Sequence, residues 1–146
     1  MASLSLDQAV RIIDVALAMG ESQRWAPLCV AVLDAGGHVL ALKRSERASS
    51  ARPAIAVAKA SGCLGMGFGG RELMRRAQAH PRFYSAIAQL FPQGIVPVPG
   101  GVLIQSADGS VLGAVGISGD TSEHDEACAV AGIKAVDLVA DTGDAT

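Results

Sequence analysis

Aromatic residues are scarce in this chain: phenylalanine, tyrosine and tryptophan make up 3% of its 146 residues. A hydrophobic core must therefore be built from alanine, valine, leucine and isoleucine, within a composition that is 50% hydrophobic. No window reaches the roughly 18 apolar residues of a membrane-spanning helix, because charge or glycine interrupts each apolar stretch. Residues 1–7 also lack the basic and long apolar regions of a secretory signal. These absences predict a cytoplasmic protein with no membrane partner.

Basic residues and metal-binding patterns are lacking too. Lys and Arg number 12 against 14 Asp and Glu, and the net charge is -2, whereas nucleic-acid binding requires clustered basic surface. Cys29, Cys63 and Cys128 form no Cys-x-x-Cys pair, and no two histidines have the local spacing of a zinc site. The sequence therefore predicts no nucleic-acid partner, no metal site, and three buried free thiols in a reducing compartment.

What the chain does contain is a regular succession of helical and strand patterns that fits one domain over residues 1–146. Ser5 and Gln8 have the spacing of a capping box, and apolar residues follow at helical intervals. This pattern predicts a helix over 6–19 that ends at Gly20. Four apolar runs separated by glycine-containing turns predict two hairpins, with strands at 28–33, 38–43, 102–105 and 111–117.

An alanine-rich stretch predicts a helix over 54–63, and the five glycines between Gly62 and Gly70 are expected to end it. The remaining segments are predicted to be helices at 71–78, 82–90 and about 122–139, followed by a frayed tail at 142–146. Helices at both chain ends and in the middle can cover both faces of an antiparallel sheet. The sequence thus predicts an α+β sandwich with a four- to five-stranded sheet built from two hairpins.

Several motifs together resemble a known family. The chain is similar to the GlcG/HbpS family, and also to the C-terminal domain of PduO-type cobalamin adenosyltransferases. The most specific part is the glycine-spaced run that ends at Gly119, with the Asp-Glu-x-x-Ala-x-Ala-Gly helix that follows it. The stretches that carry the resemblance are Val32–Val39, Lys59–Ala60, Pro99–Gly101, Val111–Gly119 and Asp125–Gly132.

The resemblance implies properties that the residue patterns do not establish by themselves. It implies a profilin-like α/β/α sandwich and a homo-oligomer, from dimer to octamer. It also implies binding of haem or another tetrapyrrole in some members, and a role in catabolic operons for others. Haem is the cofactor that the resemblance suggests, although the residues alone leave the cofactor unknown.

The strand-to-helix junction at 113–126 is the main candidate site, because such a junction brings backbone N–H groups and titratable side chains together. His124, Asp125 and Glu126 open the final predicted helix. Carboxylates there are stabilised by the helix dipole, so capping is one interpretation and a general base or ligand is the other. The dipole is expected to keep His124 neutral. Asp125 and Glu126 are adjacent, so they should point to different sides of the helix.

Two cationic side chains and one glycine pair could bind an acid. Lys59, alone in its alanine-rich helix, either reaches solvent or binds the carboxylate of a small acid or a haem propionate, with a pKa lowered by burial. Arg44, at the end of the second strand, is a candidate carboxylate clamp. Gly100 and Gly101 either form a tight turn or present N–H groups to an anion.

The first functional hypothesis is a homo-oligomer that binds a small carboxylic acid or a tetrapyrrole. The pocket would be lined by Lys59, Gly100–Gly101 and the turn with Ser118 and Gly119. Ser118 lacks the Gly-x-Ser-x-Gly context of a nucleophilic serine, so a serine hydrolase is not predicted.

The second hypothesis is a cofactor-independent isomerase, decarboxylase or lyase. Lys59 would hold the substrate carboxylate, and Glu126, Asp125 or His124 would transfer a proton. A third hypothesis is a structural subunit whose surface only assembles.

Overall fold

The order of helices and strands up to the last helix is the one that the residue patterns predict. The structure is a computed structural model that describes residues 2–144. No helix in this range is both long and apolar enough to cross a membrane. The elements are α1 (Leu6–Ser22), β1 (Cys29–Asp34), β2 (Val39–Arg44), α2 (Arg52–Met66), α3 (Gly70–Ala79), α4 (Pro81–Ile87), a 3-10 turn (Ala88–Leu90), β3 (Gly101–Gln105), β4 (Val111–Ser118), α5 (Ser122–Ala135) and β5 (Val139–Asp141).

The five strands form one antiparallel sheet in the order β2-β1-β4-β3-β5. The two predicted hairpins are β1–β2 and β3–β4. They are joined through β1 and β4, where Val30 lies opposite Ile117 and Val32 opposite Val115. The predicted antiparallel sheet is confirmed.

Alternation along the strands creates two buried faces. Val30 and Val32 contribute to a core with α1 and α5, whereas Ala31 and Leu33 contribute to a second core under α2. Helices therefore cover both faces, and the predicted α/β/α sandwich is confirmed. Ser5 also caps α1 as predicted, since its hydroxyl accepts from the Gln8 N–H and the Gln8 side chain accepts from the Ser5 N–H.

All three cysteines are free and buried, as predicted. Burial raises the pKa of Cys29 and of Cys128 to about 11, and that of Cys63 to about 12. Because the thiolate is the reactive form of cysteine, these side chains act as small apolar core residues.

The central strand β4 is spaced with glycine because α2 crosses it at very short range. A Cβ on Gly116 would lie 1.8 Å from the carbonyl oxygen of Ala56 in α2. Only a residue without a side chain allows this approach, which holds the helix close to the strand end that carries the candidate site.

The predicted end of α1 is wrong, and the glycine-rich run ends α2 later than predicted, because Gly20, Gly62 and Gly65 serve packing instead of termination. Helix α1 continues past Gly20 to Ser22, and a Cβ on Gly20 would come within 2.8 Å of Leu28 Cδ1. Helix α2 continues through Gly62 and Gly65 to Met66, and Gly67, with a φ of 82°, ends it as the C-cap. At Gly65 a Cβ would lie 2.1 Å from the Phe91 ring. The Phe91 ring therefore occupies the space that a side chain at position 65 would need.

The end of the final helix is also predicted wrongly. Helix α5 ends at Ala135, Asp137 adopts a positive φ of 59°, and Val139–Asp141 pairs with β3 as the edge strand β5. The predicted tail is partly anchored, because the Thr142 carbonyl accepts from the Arg71 N–H at 3.0 Å. Residues 145 and 146 of that predicted tail lie outside the described residues.

Candidate functional site

A buried ion pair connects α2 to the start of α5 at the predicted junction. Lys59 Nζ lies 3.2 Å from Asp125 Oδ2 and donates to the Ile117 carbonyl at 2.8 Å. The two side chains are only 5% and 1% exposed. The other oxygen, Asp125 Oδ1, accepts from the Asp120 N–H at 3.1 Å. Lys59 is thus buried, and its ammonium is already bound by the protein.

Burial shifts both members of this pair toward neutrality. It lowers the pKa of Lys59 and raises the pKa of Asp125, and each partner's opposite charge counteracts the shift of the other. Low-polarity surroundings penalise both charged forms, and the short contact favours them. The pair could exchange a proton internally, but it is closed to bulk solvent.

The glycine pair lies against the same lysine. Gly100 has φ 109°, and a Cβ there would lie 2.9 Å from Lys59 Nζ. A Cβ on Gly101 would come within 2.7 Å of the Lys59 carbonyl oxygen and of Cys63 Sγ. The Gly100 carbonyl accepts from the Ile117 N–H at 2.9 Å. The structure therefore brings these two glycines to Lys59 and Asp125, where they make room for the ion pair.

Glu126 points away from Asp125, as predicted for adjacent helical residues. Arg71 of α3 donates from Nη2 to Glu126 Oε1 at 2.9 Å, and its Nε lies 2.8 Å from Oε2. The buried Oε2 atom nevertheless accepts no hydrogen bond within the described residues, because the Nε–H is aimed at Oε1. Glu126 belongs to a contact between α5 and α3, apart from Lys59.

His124 belongs to a third cluster. Its Nδ1 lies 2.5 Å from Asp120 Oδ1, and its ring stacks on Trp25 with centroids 3.9 Å apart and planes 9° apart. Asp120 Oδ2 accepts from the Ala26 N–H at 2.6 Å. Hydrogen bonds from backbone N–H groups lower the pKa of Asp120, and the one from Ala26 has the largest effect. The cap of α5 is Thr121, whose hydroxyl accepts from the His124 N–H.

The remaining predicted residues hold backbone segments in place. Arg44 Nη1 donates to the Ala48 carbonyl at 2.8 Å and to the Ser45 carbonyl at 3.1 Å. Ser118 is buried, and its hydroxyl accepts from Arg52 Nη1 at 3.0 Å. At Gly119 a Cβ would lie 2.2 Å from the Pro27 carbonyl.

Lys59 lines none of five surface clefts that the described residues form. No group of three or more His, Cys, Asp or Glu side chains suited to a metal ion occurs between residues 2 and 144. One cleft, of about 400 Å³, lies among the end of α2, α3 and α4. We call it the His80 cleft, and it is lined by Met66, Glu72, Arg75, Arg76, Ala79, His80, Phe83 and Tyr84.

The His80 cleft combines aromatic, cationic and metal-ligating side chains. His80 is exposed at the corner between α3 and α4. Phe83 is 55% exposed and lies edge-to-face with the buried Tyr84 ring at 5.7 Å. Arg76 lies 4.0 Å over the Phe68 ring. Sequence reasoning missed this cleft, although the four-residue spacing of Arg76 and His80 was a usable signal.

Comparisons with known proteins agree with the predicted resemblance. A family model with the description "Haem degrading protein HbpS-like" matches residues 4–134. No curated protein matches the chain significantly.

Solved structures share the fold. A crystal structure of a PduOC–heme complex is 25% identical with a TM-score of 0.83, covering 94% of this chain and 98% of that chain. HbpS is 23% identical with a TM-score of 0.81, covering 93% and 92%. The Klebsiella pneumoniae protein ORFY is 24% identical with a TM-score of 0.78, covering 92% and 91%. Because the family model covers most of the sequence, this chain belongs to the HbpS-like family.

Proposed function

We propose that this protein binds haem, or a closely related iron tetrapyrrole, in the His80 cleft, where His80 would hold the iron. The donor set of the cleft is the observation that carries the proposal. Haem iron is held by histidine, methionine or tyrosine in known sites, and His80, Met66 and Tyr84 all line this cleft. Phe83 adds an exposed aromatic surface for the macrocycle.

The cations of the cleft suit the propionate groups. Arg75 and Arg76 line it, and Glu72 lies 2.9 Å and 3.6 Å from their Nε atoms. Two guanidiniums against one carboxylate leave one positive charge for a propionate, which guanidinium groups bind strongly. Of the five clefts, this is the one lined by both a histidine and an arginine.

Relatives give independent support. The PduOC domain, which has the same fold, was crystallised in complex with heme, and the description of the family refers to haem degradation. When bound, haem would supply the iron centre, and this chain would supply the His80 nitrogen and the cationic contacts of Arg75 and Arg76.

The test is a titration with hemin, followed by the Soret absorption band. The wild-type protein should produce a shifted, saturable band, and His80→Ala should weaken binding by about tenfold or more, since it removes an iron–nitrogen bond. The chain has three histidines, so His38→Ala and His124→Ala are the matched controls and should retain the band.

Two results separate the parts of this proposal. A wild-type protein that gives no saturable Soret shift would contradict haem binding itself. A wild-type band that is lost in His124→Ala or His38→Ala, but not in His80→Ala, would contradict the assignment of the cleft.

The location and assembly of the protein remain predictions from the sequence. We propose a cytoplasmic homo-oligomer, between dimer and octamer, of single-domain subunits over 1–146, with a role in a catabolic operon. Light scattering of the purified protein measures the oligomeric state directly.

The alternative, a cofactor-independent isomerase, decarboxylase or lyase, has less support. Lys59 is bound to Asp125, Glu126 to Arg71, and His124 to Asp120. A shared substrate site for these groups would need each of them to leave its present partner. Their catalytic roles stay a prediction from the sequence.

A further inference from the structure

A second cleft lies between the end of α1 and the loop that follows β2, and we call it the Trp25 cleft. It shares no residue with the His80 cleft. Its volume of about 370 Å³ falls within the usual range for small-molecule sites. Arg24 and Trp25 line it from the segment after α1, and Arg47 lines it from the loop after β2. Leu17 and Leu28 add apolar surface.

Long-range contacts hold the first wall in place. The Ala26 N–H donates to Asp120 Oδ2 at 2.6 Å, and Asp120 Oδ1 lies 2.5 Å from His124 Nδ1. The His124 ring in turn stacks on Trp25 at 3.9 Å. Arg24 has φ 59°, a conformation that residues other than glycine seldom adopt. The indole and the backbone of Arg24 are therefore positioned without a ligand.

The second wall is held by Arg44, which sequence reasoning selected as a carboxylate clamp. Its guanidinium donates to the carbonyls of Ala48 and Ser45 at 2.8 and 3.1 Å. The Ser45 N–H donates to the Leu28 carbonyl at 3.0 Å, which anchors the loop to the residue just before β1. Arg44 thus positions the loop, and Arg47 is the arginine that this loop presents to the cleft.

The charges of the cleft favour an anion with one negative charge. Arg24 and Arg47 are exposed, and neither guanidinium pairs with a carboxylate among residues 2–144. Glu21 is the acidic residue among the lining residues. Two guanidiniums and one carboxylate leave a single positive charge.

We propose that the Trp25 cleft binds a small planar monocarboxylate. Arg24 and Arg47 bind its carboxylate, because guanidinium groups match carboxylate geometry. Trp25 provides an apolar ring surface for the flat part of the ligand. This site does not depend on the proposed haem binding.

Trp25 is the single tryptophan of the chain, so its fluorescence reports directly on the cleft. The probe is benzoate, with benzamide as the neutral molecule of similar shape and inorganic phosphate as the anion without a flat apolar part. Calorimetry repeats each titration, so that binding without a fluorescence change is also detected.

Benzoate should bind saturably and more tightly than benzamide or phosphate. Arg24→Gln and Arg47→Gln should each weaken benzoate binding by about tenfold, because each removes a charge-assisted hydrogen bond. Glu21→Gln should tighten binding, since it removes the competing carboxylate. Arg11→Gln, which alters an exposed arginine of α1 that does not line the cleft, is the control and should leave the affinity unchanged.

Three results would overturn the proposal: no benzoate binding by either method, equal binding of benzamide or phosphate, or an affinity unchanged in both arginine variants. His80→Ala should leave benzoate binding intact, which keeps this test separate from that of haem.

Discussion

Replacing Lys59 with methionine is expected to lower the free energy of unfolding by about 3–5 kcal/mol at neutral pH. The variant leaves the Asp125 carboxylate 1% exposed, without the ammonium that lies 3.2 Å away. It also removes the hydrogen bond to the Ile117 carbonyl. An uncompensated buried charge and an unsatisfied carbonyl both favour the unfolded chain. Denaturant-induced unfolding, followed by circular dichroism, measures the loss.

Two control variants show whether the loss comes from burial of the pair. The double variant Lys59→Met/Asp125→Asn removes both charges but retains an acceptor for the Asp120 N–H, so its cost should be clearly smaller than the sum of the single costs. Lys43→Met breaks a pair of similar chemistry, with Asp14 at 2.7 Å, but both side chains are 49% exposed. It should cost no more than about 1 kcal/mol. Equal losses for Lys43→Met and Lys59→Met would contradict the argument.

The Lys59→Met deficit should also depend on pH, in a direction set by Asp125. Burial already raises the pKa of Asp125 in the folded protein, and the variant removes the cation that counteracts this rise. A carboxyl with a raised folded-state pKa binds its proton more tightly in the folded protein than in the unfolded chain. Proton binding by Asp125 therefore stabilises the folded variant at low pH, and this stabilisation is lost as the pH rises through the folded-state pKa. The difference in free energy of unfolding between wild type and Lys59→Met should therefore become smaller as the pH is lowered from about 8 to about 5. A deficit that grows on acidification would refute this assignment.

Gly116→Ala is expected to lower the free energy of unfolding by about 3 kcal/mol, at the upper end of the cost of overpacking. The new Cβ would lie 1.8 Å from the Ala56 carbonyl oxygen and 3.0 Å from the Ala60 backbone nitrogen. Both atoms belong to the backbone of α2, which cannot rotate aside like a side chain. The helix must move away from β4, and the core beneath α2 loosens.

Gly36→Ala is the matched control for this substitution. Gly36 is exposed in the β1–β2 turn, and its Cβ would meet only side-chain atoms, the His38 ring at 3.2 Å and Asp34 Oδ1 at 3.4 Å. Removing glycine there also restricts the unfolded chain, so the stability should change by less than about 1 kcal/mol. Comparable losses in both alanine variants would show that α2 does not depend on Gly116.

Local patterns of the sequence predicted most of the elements for a simple physical reason. Strand β1 is specified by a short continuous apolar run, and helix α1 by apolar residues at helical spacing together with a cap at Ser5 that involves only Gln8. The glycine at position 116 of β4 leaves room for a close backbone contact, and α2 supplies that contact.

Long-range pairing decided what these patterns could not. Val136 and Leu138 continue the apolar spacing of a helix, yet Val139–Asp141 forms β5, because β3 offers an unpaired edge. A strand of three residues is too short to show the alternation of apolar and polar residues by which strands are predicted. Gly62 and Gly65 likewise resemble helix breakers until the packing of Ile95 and Phe91 against them is known.

In the candidate site too, local patterns decided some features and long-range contacts decided the others. From the sequence, Lys59 had two fates, solvent or a buried contact, and its helix could not distinguish them. The deciding partner, Asp125, lies 66 residues away in the chain, and only the crossing of α2 over β4 brings it within 3.2 Å. The sequence by itself thus determined, from local patterns, which charged residues were candidates and on which helices they lie. Which charges meet, and which clefts they line, were decided by the tertiary structure, since burial and pairing depend on neighbours from distant segments.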